Sequence, residues 1–224
     1  MAYEVSHTDH SVVTIEIVCL MKAWNDQLDG ASGEDLTVDQ NSYYTADLTI
    51  RPPGLRRAPA GREPNPKGTA YPTMVVEVGV SETISSLHDL ARNYFSPRTT
   101  IQIYLAIKLF PTRTNGTRAM LALRYLRTNQ NNTVPDVILS FGTAPLHYST
   151  IDFLTNIVGV PLANITGVGF SAIACNAPGI PDYQVHIPVA ELFNGSSGGI
   201  PAGSINGFYL DLWKLQNVVL RLTR

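Results

Sequence analysis

The sequence predicts an α/β fold built on a mixed central sheet, on three observations. Residues 73–80, Thr-Met-Val-Val-Glu-Val-Gly-Val, are a near-continuous apolar run, the pattern of a central strand buried on both faces. Ile84, Leu87, Leu90, Ala91, Tyr94 and Phe95 then recur at helical spacing. Alternation follows, with Ile101, Ile103, Leu105, Ile107 and Leu109 on one face of a strand over 99–110. Strand and helix patterns therefore intermix along the chain, and helices flanking a sheet are the layered solution.

Composition bounds the alternatives. The 224 residues suffice for a domain that hides roughly 70% of its unfolded surface. Hydrophobic residues make up 44% and charged residues 15%, well under the usual quarter or so, which excludes a disordered polyelectrolyte and a coiled coil. No run reaches the roughly 18 apolar residues of a membrane span. Met1-Ala2-Tyr3-Glu4 lacks the features of a signal peptide, and Cys19 and Cys175 make no disulfide framework. An intracellular protein, cytoplasmic or nuclear, is expected.

The remaining elements follow in order. Apolar residues from Val12 to Trp24 predict a helix over 11–28, ended near Asp26 and Gly30; residues 29–41 are polar and turn-like. Over 42–52, Tyr44, Ala46, Leu48 and Ile50 alternate with Thr45, Asp47, Thr49 and Arg51, which predicts a strand. Residues 52–72 hold six prolines and predict a long exposed loop, a length uncommon without a function. Ser81-Glu82-Thr83 starts the helix over 84–95 and Pro97 stops it. Asn115-Gly116 is a hairpin turn signal leading to a strand at 119–127, and another strand fits 136–142. Beyond 143 the signals are weaker: a short helix at 148–158, strands at 165–171 and 183–188, and a helix at 209–222. The expected division is a core over 1–142 and a C-terminal α/β extension over 143–224 packed on the same domain.

Charge is unevenly spread. Residues 1–50 hold nine acids against Lys22 alone, and the other 174 residues hold fifteen bases against nine acids. Such asymmetry marks either a face that collects polyanions or metal, or merely opposite surfaces of opposite charge. Glu77 stands out, because a carboxylate inside the apolar run 74–80 is costly to desolvate unless it is paired or metal-bound. The plainer alternative is a strand end where Glu77 reaches solvent. Asp47, on the polar face of the preceding strand, is the natural second carboxylate. Two such groups on adjacent strands suit Mg²⁺ and phosphodiester hydrolysis. Arg51, Arg56, Arg57, Arg62 and Lys67 make the loop basic enough to neutralise nucleic-acid phosphates, and Arg113, Arg118, Arg124 and Arg127 extend that patch; a merely solvated loop is the alternative. His7, Asp9 and His10 read as a polar tail and His88 as a surface residue. The Gly-rich segments 166–170 and 194–203 are neither GxGxxG nor a P-loop, and no Gly-x-Ser-x-Gly nucleophile motif is present.

Asp47 on one strand, then PTMVVEVGVSET, a helix ending in ARNYFS and the strand IQIYLAIKLF resemble the PD-(D/E)XK nuclease superfamily. The branch of short bacterial candidate restriction endonucleases is most similar over residues 42–127; over the whole chain the likeness is to uncharacterised fungal proteins. The resemblance implies a restriction-endonuclease-like core. It also implies Asp47 and Glu77 as catalytic Mg²⁺ (or Mn²⁺) ligands, the Val78 carbonyl as a further ligand, Glu16 on the first helix as an outer carboxylate, and Tyr94 on the second helix. The superfamily's lysine, two residues after the Glu, is Gly79 here. Its alternative place, four residues before the Tyr, is Leu90, and Arg51, Arg92 and Lys108 are the substitutes within reach. The expected partners are nucleic acid and further copies of the chain, with no membrane. A weakened metal-dependent nuclease and an inactive binding module on the same fold are both compatible with these residues.

Overall fold

A computed structural model of the chain describes residues 7–171 and 173–222. Its elements are α1 (His7–Trp24), β1 (Asp29–Asp39), β2 (Ser42–Arg51), β3 (Met74–Gly79), α2 (Ile84–Tyr94), β4 (Ile103–Leu109), β5 (Ala119–Leu126) and β6 (Val137–Gly142). They continue as α3 (Tyr148–Asp152), β7 (Ile165–Gly167), β8 (Gln184–Ile187), α4 (Val189–Leu192), β9 (Phe208–Asp211) and α5 (Leu212–Leu222).

Seven strands, β1 to β7, form one sheet in chain order. The β3–β4 and β6–β7 pairs are parallel and the others antiparallel, so the sheet is mixed, as expected. Parallel strands need a crossover, and α2 supplies the one between β3 and β4. On one face α1 (Val13, Ile17, Met21) and α5 (Leu212, Leu215, Val219) cover Val76, Val78 and Leu105. On the other, α2 (Leu87, Ala91, Tyr94) and Leu154 cover Val75, Tyr104 and Leu121. Burial on both faces is why β3, β4 and β5 have no exposed position and read as apolar runs. Thr83 caps α2, its side chain accepting from the Ser86 N–H.

One kink matters for the site. In the β1–β2 register, Gly33 stands between the pairs Ser32↔Leu48 and Glu34↔Ala46, opposite Asp47, and its φ is +65°. A side chain there would be strained. Past this point the hairpin turns over the sheet edge. Leu48 and Ile50 enter the core under α1, whereas Ala46 and Leu36 enter the core under α2.

Several boundaries differ from the sequence expectation. The first helix occupies His7–Trp24, four residues earlier than 11–28, and so takes in the presumed polar tail. The polar stretch 29–41 contains strand β1 rather than turns. It is an edge strand, and only Leu36 and Val38 of its eleven residues are buried, so it carries no alternating pattern. Residues 208–211 form β9, and the last helix begins at Leu212. Asp211 Oδ1 accepts from the Trp213 N–H at 3.0 Å, the contact that divides the two. The helix at 148–158 is α3 followed by a wide π turn, Phe153–Ile157, and the strand at 165–171 shortens to β7. Among the described residues no helix is long and apolar enough to cross a membrane.

Candidate active site

The antiparallel register of β2 and β3 ends at Leu48↔Val76, so the next step sets Asp47 beside Glu77 at the kink. Asp47 Oδ2 accepts the Val78 N–H at 2.7 Å, and Oδ1 meets His10 Nε2 from α1 at 2.7 Å. Glu77 is buried, with 7% of its surface exposed. Its Oε1 accepts the phenolic O–H of Tyr94, from α2. The two carboxyl groups that the sequence pattern singles out are thus brought together at the sheet, with His10 of α1 meeting one and Tyr94 of α2 the other.

Burial pushes the Glu77 carboxyl up to about 9; the charge of Asp47 adds to this, and the Tyr94 hydrogen bond opposes it. Glu77 therefore keeps its proton at neutral pH. Asp47 acts directly on Glu77, so the four groups follow one another from Tyr94 through Glu77 and Asp47 to His10. Desolvation, with the Glu77 charge behind it, holds the Tyr94 phenol well above its ordinary value. The hydrogen bond to Asp47 holds the His10 imidazole above its ordinary value against desolvation, with Glu82 adding to the effect. Like-charged groups crowded into a dry corner are what a cation or a proton must neutralise. The oxygen set offered is two carboxylates and the backbone of Val78, which turns its N–H toward Asp47. That donor chemistry fits Mg²⁺ or Mn²⁺, which take few carboxylates and keep waters. Among the described residues no three His, Cys, Asp or Glu side chains form a ready-made metal cage.

Gly79, where the sequence resemblance would place a lysine, is closely packed. A Cβ on Gly79 would lie 2.6 Å from Leu87 Cδ1, so α2 fills the place a longer side chain would need. Lys108 is paired directly with Gly79 across the parallel β3–β4 register. It is buried, and its Nζ donates to the Val80 carbonyl at 2.6 Å. Desolvation lowers its pKa, and nearby Glu82 opposes that. Glu82 Oε2 accepts the Val80 N–H at 3.0 Å, so one cation and one carboxylate hold the same backbone stretch just beyond the acid pair.

Other expected site residues lie elsewhere. Glu16 is seven residues after Asp9 on α1, two helical turns along the same face, and no hydrogen bond or ion pair joins it to Asp47 or Glu77. Asp9 itself pairs with Arg118 at 2.6 Å. Arg51 is not a free cation: it meets Glu34 at 2.6 Å and donates to the Ala70 carbonyl and to Thr49. Arg56, Arg57, Arg62 and Lys67 are exposed. Their loop lies between Asp47 and Glu77 in sequence but not in space. An antiparallel connection leaves it at the far end of both strands, and the four residues from Asp47 to Arg51 alone span about 13 Å.

The hairpin arginines are tied to protein acceptors, with Arg118 and Arg124 buried and Arg113 exposed. Arg118 binds the Phe110 carbonyl, Arg124 binds Asp136 and the His186 carbonyl, and Arg113 binds the Pro145 carbonyl. His88 is half-buried against Tyr125, its Nδ1 3.0 Å from the phenol oxygen, and burial lowers its pKa. His10 is the residue that sequence reading passed over. The signal for it was helical spacing, since His10 lies three and seven residues before Val13 and Ile17, the buried stripe of α1. His7 begins α1, and its side chain lies outside the described part of the structure.

Two comparisons with known proteins are negative: no family model matches the chain, and no curated protein does. Among solved structures, a candidate nuclease of the DUF820 family from Anabaena variabilis is similar, with a TM-score of 0.39 and 10% identity over 66% of this chain and 77% of that one. A likeness of that size does not carry a functional reading, which rests instead on the geometry of the acid pair.

Proposed function

We propose that the chain is a divalent-metal-dependent phosphodiesterase acting on nucleic acid, with Asp47 and Glu77 as the central pair. The observation that supports this is their juxtaposition in a dry corner, where burial and mutual charge leave a proton to be displaced by a cation. Asp47, Glu77 and the Val78 carbonyl would hold the ion. When bound, such an ion activates water and stabilises a leaving oxygen. Tyr94 fixes the Glu77 carboxyl, the Val78 N–H fixes that of Asp47, and His10 meets the other Asp47 oxygen at the rim. Lys108 contributes a positive charge next to the position Gly79 leaves bare. Glu16 would enter only as an outer carboxylate.

The test is thermal unfolding with and without Mg²⁺ or Mn²⁺, followed by single-turnover cleavage of labelled single- and double-stranded DNA and RNA. Ion binding to the native state must raise the melting temperature. Cleavage should be slow, and at least as fast with Mn²⁺ as with Mg²⁺, because a site without the superfamily's lysine leans on the metal and Mn²⁺ binds N/O donors more tightly. A second reading, an inactive nucleic-acid- or protein-binding module, is favoured by Leu87 standing where the lysine side chain would run. It is the outcome if neither ion stabilises the protein and no substrate is cut.

The steric account of Gly79 is itself testable. Gly79→Lys alone should destabilise the fold by about 1–3 kcal/mol through the clash with Leu87. Gly79→Lys with Leu87→Ala should relieve that clash and raise single-turnover cleavage, by about a hundredfold for a well-placed charge. A double variant that is folded, binds metal and cuts no faster would remove the lysine from the explanation of slow activity.

A further inference from the structure

A cleft of about 360 Å³ lies between the 52–73 loop and the turn that joins α2 to β4. Arg56, Arg57, Arg62 and Arg98 line it, together with Tyr71. We propose that this cleft binds a phosphate group, as a second site at the opposite end of β2 and β3 from the acid pair.

Four arginines line this one cleft, and among the described residues none of the four is in an ion pair. Arg98 is the new member, since it comes from the α2–β4 turn and not from the basic loop. Its Nη2 donates to the Gly61 carbonyl at 3.1 Å, which fixes the guanidinium plane, while its buried Nε–H has no hydrogen-bond acceptor. That nitrogen is closed off from solvent, so an oxyanion in the cleft would meet the Nη atoms of Arg98 instead. Arginine forks match phosphate bidentately.

The loop is held in shape before any ligand arrives. Arg62 N–H closes a turn onto the Pro59 carbonyl at 2.9 Å, and Thr37 N–H ties the Pro64 carbonyl to β1 at 2.7 Å. Tyr71 is buried, and its O–H is spent on the Thr37 carbonyl at 2.6 Å, so it anchors the wall and does not donate into the cleft. Glu63, the loop's one acid, is half-buried near Tyr71 and forms no ion pair with the four arginines. A backbone already held in place lowers the entropy lost on binding an anion, and the Arg98 side chain is further fixed by a hydrogen bond to Tyr71. The cleft suits a single phosphate or diphosphate, from a nucleic-acid strand or from a free phosphorylated molecule. It is too far from Asp47 and Glu77 to hold the phosphate under attack.

This site does not depend on hydrolysis, so its test is run in EDTA. Inorganic pyrophosphate and a single-stranded DNA 12-mer are titrated calorimetrically into the wild type, Arg57→Gln, Arg98→Gln and Lys67→Gln. Arg57 is exposed and without structural partners, so its variant folds even if that of Arg98 does not. Lys67 carries the same charge on the same loop but lies outside the cleft. The expected result is binding weakened about tenfold in each arginine variant and nearly unchanged in Lys67→Gln. Displacement of the DNA by pyrophosphate, with a shallower salt slope in the arginine variants, assigns the cleft to a nucleic-acid phosphate. Tight pyrophosphate binding without DNA binding assigns it to a free phosphate. The proposal is overturned if neither probe binds, if both arginine variants bind like the wild type, or if Lys67→Gln loses as much as they do.

Discussion

Glu77→Gln is expected to abolish metal-dependent cleavage and metal-induced stabilisation, and in EDTA to make the protein more stable than the wild type at neutral and alkaline pH. The amide reproduces the protonated carboxyl, accepting from Tyr94 and donating toward Asp47, but it cannot be ionised by a cation. The pH dependence follows from the proton held in the fold. Glu77 binds it with a pKa of about 9 when folded, against about 4.3 when unfolded. Below about pH 4 both states are protonated and the group contributes no difference. Between about 4 and 9 the unfolded chain releases a proton that the folded chain keeps. The unfolded state then binds fewer protons, so stability falls as pH rises through this window, by about 1.4 kcal/mol per unit. By pH 7 the cost is on the order of 3 kcal/mol, and Gln does not incur it. Urea unfolding in EDTA at several pH values should give curves that converge near pH 4 and separate steadily above it. Parallel curves would show that the Glu77 proton is not linked to folding. With Mn²⁺ added, the wild type should recover stability and the variant should not; equal gains in both would place the ion elsewhere.

Periodicity carried most of the sheet. Its strands are buried on both faces, so β3, β4 and β5 announce themselves as apolar runs, and Glu77 was conspicuous because it interrupts one. Edge structure was less legible. β1 is held by pairing with β2 and passes through a positive φ at Gly33, and neither leaves a hydrophobic pattern. The acid pair was readable from Asp47 and Glu77 on consecutive strands. What lay around it was not, because parallel pairing of β3 and β4 depends on the α2 crossover: Lys108 meets Gly79 only through that pairing, 29 positions away in sequence. Chain proximity also misled. The basic loop falls between the two acids in sequence, yet an antiparallel connection carries it to the other end of the strands. The hairpin arginines were misjudged because a guanidinium in an otherwise apolar strand signals a buried fork as readily as an exposed phosphate contact.

The largest expected structural loss is at one of those forks. Arg127 follows β5 and reaches the end of α2, where it donates to the carbonyls of Ile101, Phe95, Tyr94 and Ser96 and to Thr99 Oγ1, with its guanidinium over the Phe95 ring at 5.3 Å. Helix C-termini leave their last carbonyls without intrahelical partners, and here a single side chain meets that of Tyr94, that of the cap residue Phe95 and that of Ser96 just beyond. Arg127→Met keeps the apolar stem and removes every side-chain donor; the carbonyls of Tyr94 and Ser96 keep bonds from Thr99, while those of Phe95 and Ile101 are left short. Each costs about 1–3 kcal/mol if buried, and because the losses overlap the total should be about 3–5 kcal/mol. Arg127→Lys should recover only a minor part, since an ammonium has no planar fork to reach both sides of the turn. The effect should extend to the acid pair. Tyr94 closes α2 and is the residue that meets Glu77, so a loosened helix end loosens the hydrogen bond that fixes the carboxyl. Arg127→Met is therefore expected to weaken Mn²⁺-induced stabilisation as well as the fold, although Arg127 touches neither carboxylate. Urea unfolding and metal-dependent melting of the three proteins check both claims. A Met variant within 1 kcal/mol of wild type would mean that solvent satisfies these carbonyls, and unchanged metal stabilisation in a weakened fold would mean that Tyr94 is held from the Tyr104 side of the core instead.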